Sequence, residues 1–120
     1  MGDDGALRGL KPESIRISMS TISEALAEKL TDANEKTGTR HLGAPVFGRP
    51  TAAAAGKLFI LVGGSESVIE PCRGIFDVLG QKLIIVGAQP KAAHLNKILG
   101  NFMLFSAIDT MAEAIAHAFK

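Results

Sequence analysis

The fold class is determined by residues 57–86, which read KLFILVGGSESVIEPCRGIFDVLGQKLIIV. An apolar run over residues 57–62 predicts a strand, and the glycines after it predict a tight turn. We expect a helix over residues 67–79, ended by Gly80, and a further strand over residues 82–86. A strand, a helix and a strand in this order are typical of an α/β fold with a largely parallel sheet.

The turn at Gly63-Gly64-Ser65 has two interpretations. Its backbone N–H groups are free to hold an anion at the start of the following helix. Alternatively, the segment is only a tight turn in which Ser65 caps the helix. The second interpretation is the more common use of such a sequence, and the residues alone leave both open.

The preceding residues continue the alternation of strands and helices. An isoleucine-rich segment over residues 14–19 predicts a strand. A helix then runs to about residue 36, with Ser20 or Ser23 as its N-terminal cap and Gly38 suited to its C-terminal cap. The chain is therefore expected to enter the second strand after one complete helix.

A second strand is predicted over residues 41–47, where Pro45 indicates an edge position or the end of a strand. Residues 51–56 are rich in alanine and are interpreted as a connection, either a flexible loop or one helical turn. With the segments above, about four strands with flanking helices are expected.

A long helix is predicted from residue 91 to residue 120. At 1.5 Å per residue it would be about 45 Å long, more than the sheet beside it needs. Its middle, FMLF at 102–105, is apolar around most of the circumference, which is typical of a helix buried on two sides. We therefore expect it to pack on a second copy of the chain or on a partner segment that lies outside these residues.

Composition and net charge indicate a globular domain and do not favour nucleic-acid binding. The 120 residues are 47% hydrophobic and 21% charged, as expected of a single globular domain. The formal net charge is +1 and the chain has no Trp or Tyr, so neither charge nor base stacking favours nucleic-acid binding.

A cytoplasmic location is expected. The single cysteine, Cys72, excludes an internal disulfide and is interpreted as a small buried hydrophobe. The acidic start, MGDD, does not resemble a signal peptide, and no run of about 18 uninterrupted apolar residues predicts a membrane span.

Lys97 and Asn101 stand four apart on the long helix, so their side chains share one face. A lysine placed in this way can donate a proton to a substrate oxygen while the amide holds the substrate. The same spacing is also common on a solvated helix face. His94 lies one turn before Lys97, and a lone histidine there is more often an exposed polar residue. No histidine pair has metal-ligand spacing, so no metal site is expected.

Several short segments, taken in order, resemble the β-hydroxyacid dehydrogenase family. That family includes 3-hydroxyisobutyrate dehydrogenases, glyoxylate and succinic semialdehyde reductases, and imine reductases. Its members have an N-terminal Rossmann domain, a long helix, an all-helical domain, and NAD or NADP as cofactor. The matching segments are LKP at 10–12, STIS at 20–23, APVFGRP at 44–50, AGKL at 55–58, VGG at 62–64, Gly80 and KILGNF at 97–102.

The resemblance implies roles for single residues. Lys97 corresponds to the family's active-site lysine, the proton donor to the carbonyl oxygen, and Asn101 to an asparagine that helps to hold the substrate. Ser20 and Thr21 lie at the turn that faces the nicotinamide end of the cofactor.

The loop after the second strand departs from the family pattern. In relatives this loop cradles the substrate carboxylate, often with Ser-Gly-Gly, whereas this chain has Phe47-Gly48-Arg49. Only the central glycine is kept, although Arg49 is itself able to bind a carboxylate. The chain looks closer to the branch of NADP-dependent glyoxylate-reductase-like and imine-reductase-like proteins.

The resemblance also implies a partial Rossmann-type domain. The G-x-G-x-x-G turn that receives the pyrophosphate is absent from the sequence. Residues 1–90 correspond to the C-terminal half of the NAD(P)-binding domain, and residues 91–120 to the interdomain helix. A sheet edge left without its neighbouring strands, together with the apolar helix, predicts a homodimer or higher oligomer.

Two functional hypotheses follow from these observations. The first is a fragment of an NAD(P)-dependent oxidoreductase that reduces a small carbonyl compound or imine, inactive by itself because Lys97 lacks a closing domain and is expected to be solvated. The second is a non-catalytic oligomerisation module, and a truncated reading frame without selected function is a third possibility. Whether the chain is an enzyme stays open at this point.

Overall fold

A mixed five-stranded sheet is the centre of the computed structural model, which describes residues 5–119. The strands are β1 (Ile15–Ser18), β2 (Arg40–Gly43), β3 (Val46–Phe47), β4 (Leu58–Gly63) and β5 (Gly80–Gly87). The helices are α1 (Glu24–Lys36), α2 (Pro50–Ala54), α3 (Glu66–Ile69), α4 (Arg73–Leu79) and α5 (Pro90–Ala118), with 3-10 turns at Ala6–Gly9 and Glu70–Cys72.

The sheet is parallel at both sides and antiparallel in its middle. β1 is parallel to β2, and β4 is parallel to β5. β2 and β3 pair with β4 in one antiparallel register, with Gly43 opposite Gly63 and Val46 opposite Ile60. The prediction of a largely parallel sheet was therefore wrong for this central pairing. The short α2 connection between β3 and β4 returns the chain in the opposite direction, whereas a parallel return needs a longer crossover.

Local sequence chemistry explains most boundaries. Ser23 caps α1, because its side chain accepts a hydrogen bond from the Leu26 N–H at 3.2 Å. Gly38 follows that helix with φ of 69°, the left-handed conformation that glycine adopts easily. The α/β class, the cap at Ser23 and the helix end at Gly38 are thus confirmed.

Two prolines break elements that were predicted to be continuous. The strand expected over residues 41–47 is split into β2 and β3 around Pro45, which has no N–H for a ladder and instead accepts a bond from Leu61 N through its carbonyl. The helix expected over residues 67–79 is divided by the 3-10 turn that contains Pro71.

Two further boundaries also differ from the prediction. The alanine-rich connection at 51–56 is largely α2, which begins with Pro50 at a position where proline is tolerated. Strand β5 begins at Gly80, two residues earlier than predicted.

The segment after β4 is a tight turn, as one of the two interpretations predicted, but the capping bond expected from Ser65 is absent, and anion binding stays a prediction. Gly64 has φ of 156°, and Ser65 occupies the N-cap position of α3. The Ser65 side chain makes no capping bond and instead contacts the Ser67 hydroxyl at 3.2 Å. The helix that follows is only four residues long, so the segment serves as a turn.

The apolar core lies between β2, β4 and the α3–α4 region. Leu42, Ile60, Ile69 and Phe76 are fully buried at its centre. Cys72 belongs to the same cluster, as predicted, and burial raises the pKa of its thiol.

Helix α5 has two environments. Its first three turns pack on α1, β2, β4 and β5, while every described residue from Phe102 onward is exposed. The prediction that nothing in the chain covers the apolar middle of this helix is confirmed for residues 5–119. By length and composition α5 also suffices to cross a membrane. A single helix of this kind is weak evidence, and the expected absence of a membrane contact stays a prediction.

The N-terminus of α5 approaches the sheet closely at two facing glycines. A Cβ atom on Gly43 would overlap the Pro90 carbonyl oxygen, and one on Gly63 would overlap the Gln89 carbonyl oxygen. Both obstacles are backbone atoms, which cannot rotate away as a side chain can. Glycine at these two positions therefore allows the first turn of α5 to lie on the sheet.

We predict that Gly43→Ala lowers the free energy of unfolding by about 1–3 kcal/mol, because the added methyl group must displace backbone. The matched control is Gly74→Ala in α4, where nothing lies within 4 Å of the new methyl group. Alanine there should leave stability unchanged or raise it by about 0.5–1 kcal/mol. Equal effects of the two substitutions in urea denaturation would contradict this account of Gly43.

Candidate active site

The face of α5 that rests on the sheet carries Ala93, His94 and Lys97. Ala93 and His94 are fully buried, and Lys97 is only 8% exposed. The close approach of α5 to Gly43 accounts for this burial, since a Cβ atom on Gly43 would lie 3.0 Å from His94 Nε2. The sequence-based expectations of an exposed His94 and a solvated Lys97 were both wrong.

Lys97 lies under an aromatic ring. Its Nζ is 3.6 Å from the centroid of the Phe47 ring, a distance at which a cation is attracted to the ring face. Within residues 5–119 the ammonium makes no hydrogen bond or ion pair, although its nitrogen is not sealed from solvent. Burial lowers the pKa of Lys97. A lysine in this state is a better proton donor near neutral pH than a fully solvated one.

Phe47 is placed by the strand and the turn around it. It lies opposite Phe59 of β4, and its ring reaches the backbone of α5 at Gly100. Gly48 follows with φ of 145°, and a Cβ there would come within 2.6 Å of Leu58 Cδ2. The kept central glycine of the loop is thus required by conformation and by space.

Arg49 and Asn101 are less constrained. Arg49 is exposed at the N-cap position of α2, and Asn101 is half-buried one turn after Lys97. Within the described chain, neither side chain makes a hydrogen bond or an ion pair. Both groups remain available to a substrate, and their substrate-binding role stays a prediction.

Ser20 and Thr21 lie in the exposed loop between β1 and α1. Their hydroxyls have no hydrogen-bond partner among residues 5–119. The Ser20 main chain lies close to His94 and partly opposes the decrease in the pKa of that histidine that burial causes. His94 therefore connects this loop with Lys97, which stands one turn further along α5.

A second histidine is buried near the first. His41 Nδ1 is 2.9 Å from the Thr31 hydroxyl, while His41 Nε2 and both ring nitrogens of His94 have no partner within residues 5–119. Burial, with smaller contributions from the charges of Arg16 and His94, lowers the pKa of His41 to about 4.

The sequence did carry signals for these missed residues. Gly43 and Gly63, glycines in two predicted strand regions, each indicate that another backbone approaches closely. Gly100 inside a helix likewise indicates a close neighbour. These signals could have placed His94 in the core and Phe47 against α5.

No group of three or more His, Cys, Asp or Glu side chains is arranged to hold a metal ion in the part of the chain that is described. The expectation that the protein has no metal site stays a prediction.

A sheet flanked by helices, as found here, is the class of architecture to which nucleotide-binding α/β domains belong. Residues 1–87 match the family described as the NAD binding domain of 6-phosphogluconate dehydrogenase. The chain belongs to this family, which confirms the resemblance inferred from the sequence and makes NAD or NADP the cofactor class.

Among the relatives are longer proteins named as oxidoreductases. An uncharacterised oxidoreductase of Bacillus subtilis is 41% identical over 113 residues, which cover 94% of this chain and 40% of that protein. The NAD-dependent L-serine dehydrogenase of Pseudomonas aeruginosa is 33% identical over 116 residues, 97% of this chain and 39% of that protein. The chain thus spans about 40% of the length of these two curated relatives.

Solved structures agree with this assignment. The 3-hydroxyisobutyrate dehydrogenase of Mycobacterium tuberculosis with L-serine superposes with a TM-score of 0.85 at 33% identity, over 90% of this chain and 37% of that chain. Imine reductases match at 21% identity or less, a likeness that concerns the fold alone. The closer resemblance to the imine-reductase-like branch therefore stays a prediction.

The residues present fit one side of such a cofactor. The unpartnered hydroxyls of Ser20 and Thr21 suit the nicotinamide end, whereas the sequence has no glycine-rich turn for the pyrophosphate. The expectation that these 120 residues contribute only the nicotinamide and substrate side of a pocket stays a prediction.

We predict that the stability of this site falls in acid. A histidine whose pKa is lower in the folded state than in the unfolded chain stabilises fully above pH 6.5, and this contribution is lost as pH falls towards 4. For His41 the decrease from 6.5 to about 4 corresponds to about 3 kcal/mol. His41→Gln should flatten this dependence, because glutamine does not titrate.

The measurement is urea unfolding between pH 4 and 7.5. His117→Gln serves as the control, since His117 is exposed on α5. An unchanged pH slope in His41→Gln, or an equal change in His117→Gln, would contradict the role assigned to His41.

Proposed function

We propose that this chain supplies the substrate side of an NAD(P)-dependent oxidoreductase that reduces a small carbonyl compound or an imine. The main support is the position of Lys97, which is buried on α5 and has no counter-ion among residues 5–119. Family membership gives the cofactor class, and the longer relatives give the reaction class.

In this proposal Lys97 is the proton donor. When bound, the nicotinamide supplies a hydride to the substrate carbon. Lys97 Nζ gives its proton to the carbonyl oxygen or imine nitrogen at the same time, so that an alcohol or an amine forms. The decrease in the pKa of Lys97 through burial favours this transfer.

The remaining site residues bind and orient. Ser20 and Thr21 offer free hydroxyls to the carboxamide end of the cofactor, and Asn101 offers its amide to the substrate one turn from Lys97. Arg49, exposed and without an acidic partner among the described residues, suits a substrate carboxylate. Two of the relatives point to small hydroxy acids, since one is an L-serine dehydrogenase and one was solved with L-serine.

Cofactor binding is the first test. Because the chain has no Trp or Tyr, the fluorescence of reduced nicotinamide can be followed without protein background from those residues. We expect saturable binding of NADPH or NADH by an assembly that completes the pocket. No binding at millimolar cofactor would mean that the chain alone has lost this function.

We predict that Lys97→Ala lowers kcat for a small keto acid, aldehyde or imine by about 10²- to 10⁴-fold, the usual contribution of a proton donor. Lys82→Ala, which removes an exposed lysine of β5, is the matched control and should leave kcat unchanged. The assay uses the chain in the assembly that binds cofactor. Equal activity of the two variants would rule out Lys97 as the donor.

A second candidate function is self-association through α5, with a second copy of the chain as the partner. One specific observation favours it. Apolar side chains on the far half of α5 are exposed without a cover, including Phe105 at 64% and Ile115 at 58% exposure. Phe105, Ile108, Ala112 and Ile115 recur at helical spacing and form an apolar stripe. Surfaces of this kind mark protein contacts.

A second stripe of the helix is polar, although exposed apolar residues such as Met103 and Met111 lie between the two stripes. Ser106, Thr110, Glu113 and His117 recur at helical spacing and form a polar stripe. A helix with one apolar and one polar stripe suits a symmetric pair, and the outer edge of β1, at one side of the sheet, offers a further pairing surface. We accordingly propose a homodimer or higher oligomer.

We predict that Phe105→Glu shifts the chain to monomer at micromolar concentration, because the new charge would be buried in the interface. Thr110→Glu adds the same charge on the polar stripe and should leave the assembly intact. Sedimentation velocity distinguishes the two. A monomeric unmodified chain at this concentration would overturn the proposal.

A further inference from the structure

The Lys97 ammonium has one directed contact in the described chain, the face of the Phe47 ring at 3.6 Å. A buried ammonium is ordinarily matched by a carboxylate or by several hydrogen-bond acceptors, and neither is present within residues 5–119. The negative face of the ring therefore takes the place of a counter-ion.

Gly100 provides the space that this contact needs. It lies three residues after Lys97, on the same side of α5, and a Cβ on it would be 2.5 Å from Phe47 Cζ. Glycine weakens the interior of a helix relative to alanine, so its presence here needs a reason. The reason is that the ring occupies the position of the missing side chain.

The strand behind the ring fixes its direction. Phe47 is held opposite Phe59 by the pairing of β3 with β4, and the positive φ of Gly48 turns the chain away directly afterwards. The ring of Phe47 thus packs between the sheet on one side and the backbone of α5 on the other.

We propose that Phe47 is a positioning residue for Lys97, whose ring face, seated against Gly100, fixes the place of the ammonium in the site. This inference rests on the proposed function in one respect, namely that Lys97 is the proton donor of the reaction. The ring closes one side of the ammonium, so its free N–H groups are directed to the side that remains open to a substrate. Phe47 thereby shapes the site without itself binding the reacting atoms.

The test measures the lysine itself in the full chain. Acetylation of Lys97 by acetic anhydride is followed by mass spectrometry from pH 6 to 11, with exposed Lys82 as an internal reference. Only the uncharged amine reacts, so the pH profile reports how well the site stabilises the charged form. Neither cofactor nor turnover is needed.

Phe47→Leu retains an apolar side chain but removes the ring face. Losing the attraction to the cation favours the uncharged amine, so the profile of Lys97 should move to lower pH. The labelling rate near pH 8 should rise about two- to five-fold relative to Lys82. A Lys97 profile in Phe47→Leu identical to that of the unmodified chain would overturn the proposal, since the ring would then be only an apolar cover.

Gly100→Ala tests the same contact without changing either partner, and it applies even where Phe47→Leu fails to fold. The added methyl group displaces the ring, and the Lys97 profile should move in the same direction. Gly74→Ala, in a helix position with open space, should leave the profile unchanged. Equal profiles in the two glycine variants would overturn the proposal.

The outcome is separable from that of the proposed function. If Lys97→Ala abolishes turnover while Phe47→Leu leaves the labelling profile of Lys97 unchanged, the proposed function stands and the positioning role of Phe47 fails. If the profile follows Phe47 while Lys97→Ala retains activity, the contact is real and the proton donor lies elsewhere.

Discussion

The structure depends on the close approach of the first turn of α5 to the sheet at Gly43 and Gly63. These glycines face each other across the β2–β4 pairing, and the carbonyl oxygens of Gln89 and Pro90 occupy the space that side chains would need. Each of these contacts is between backbones, so no side-chain rearrangement can replace it. This contact fixes the position of α5 on the sheet and therefore the positions of the residues on its sheet-facing side.

One consequence is a set of polar groups buried without full hydrogen bonding. Among residues 5–119, the His94 ring nitrogens facing Gly43 make no full hydrogen bond, and the Lys97 ammonium on the same face has only an aromatic ring beside it. Burying such groups is unfavourable unless the surrounding structure is held firmly. The five-stranded sheet and the apolar core around Ile60 and Phe76 supply that support. The site is therefore assembled at the expense of local stability, as is common where chemistry takes place.

The sequence predicted those features that local chemistry dictates. The strand and glycine turn at 57–64, the cap at Ser23 and the helix end at Gly38 each depend on neighbouring residues, and they are present in the structure. The breaks at Pro45 and Pro71 are equally local, and weighing each proline more strongly would have placed them. The antiparallel pairing of β2 with β4 is different, because it depends on how two distant segments meet.

The same distinction between local and long-range features applies to the candidate site. Lys97 and Asn101 were found from spacing and family resemblance, because a helix fixes which residues share a face. The burial of Lys97 and His94 was not found, because it results from the contact of α5 with residues about 30 to 50 positions away along the chain. Phe47 was assigned to substrate on the pattern of the loop, a role that stays a prediction, and only the fold shows that its ring also reaches Lys97.

Helix α5 carries both the candidate site at Lys97 and the exposed apolar stripe around Phe105. Lys97 lies near its anchored end, and Phe105 lies eight residues further along, about 12 Å away on the same continuous rod. A helix transmits tilt along its axis, and the ring of Phe47 is wedged against its backbone at Gly100, between these two points. A surface that covered the exposed half of α5, as in the proposed oligomer, would therefore bear on the same helix that holds Lys97 against Phe47. In the proposed oligomer, assembly and the geometry of the lysine would both depend on this one helix.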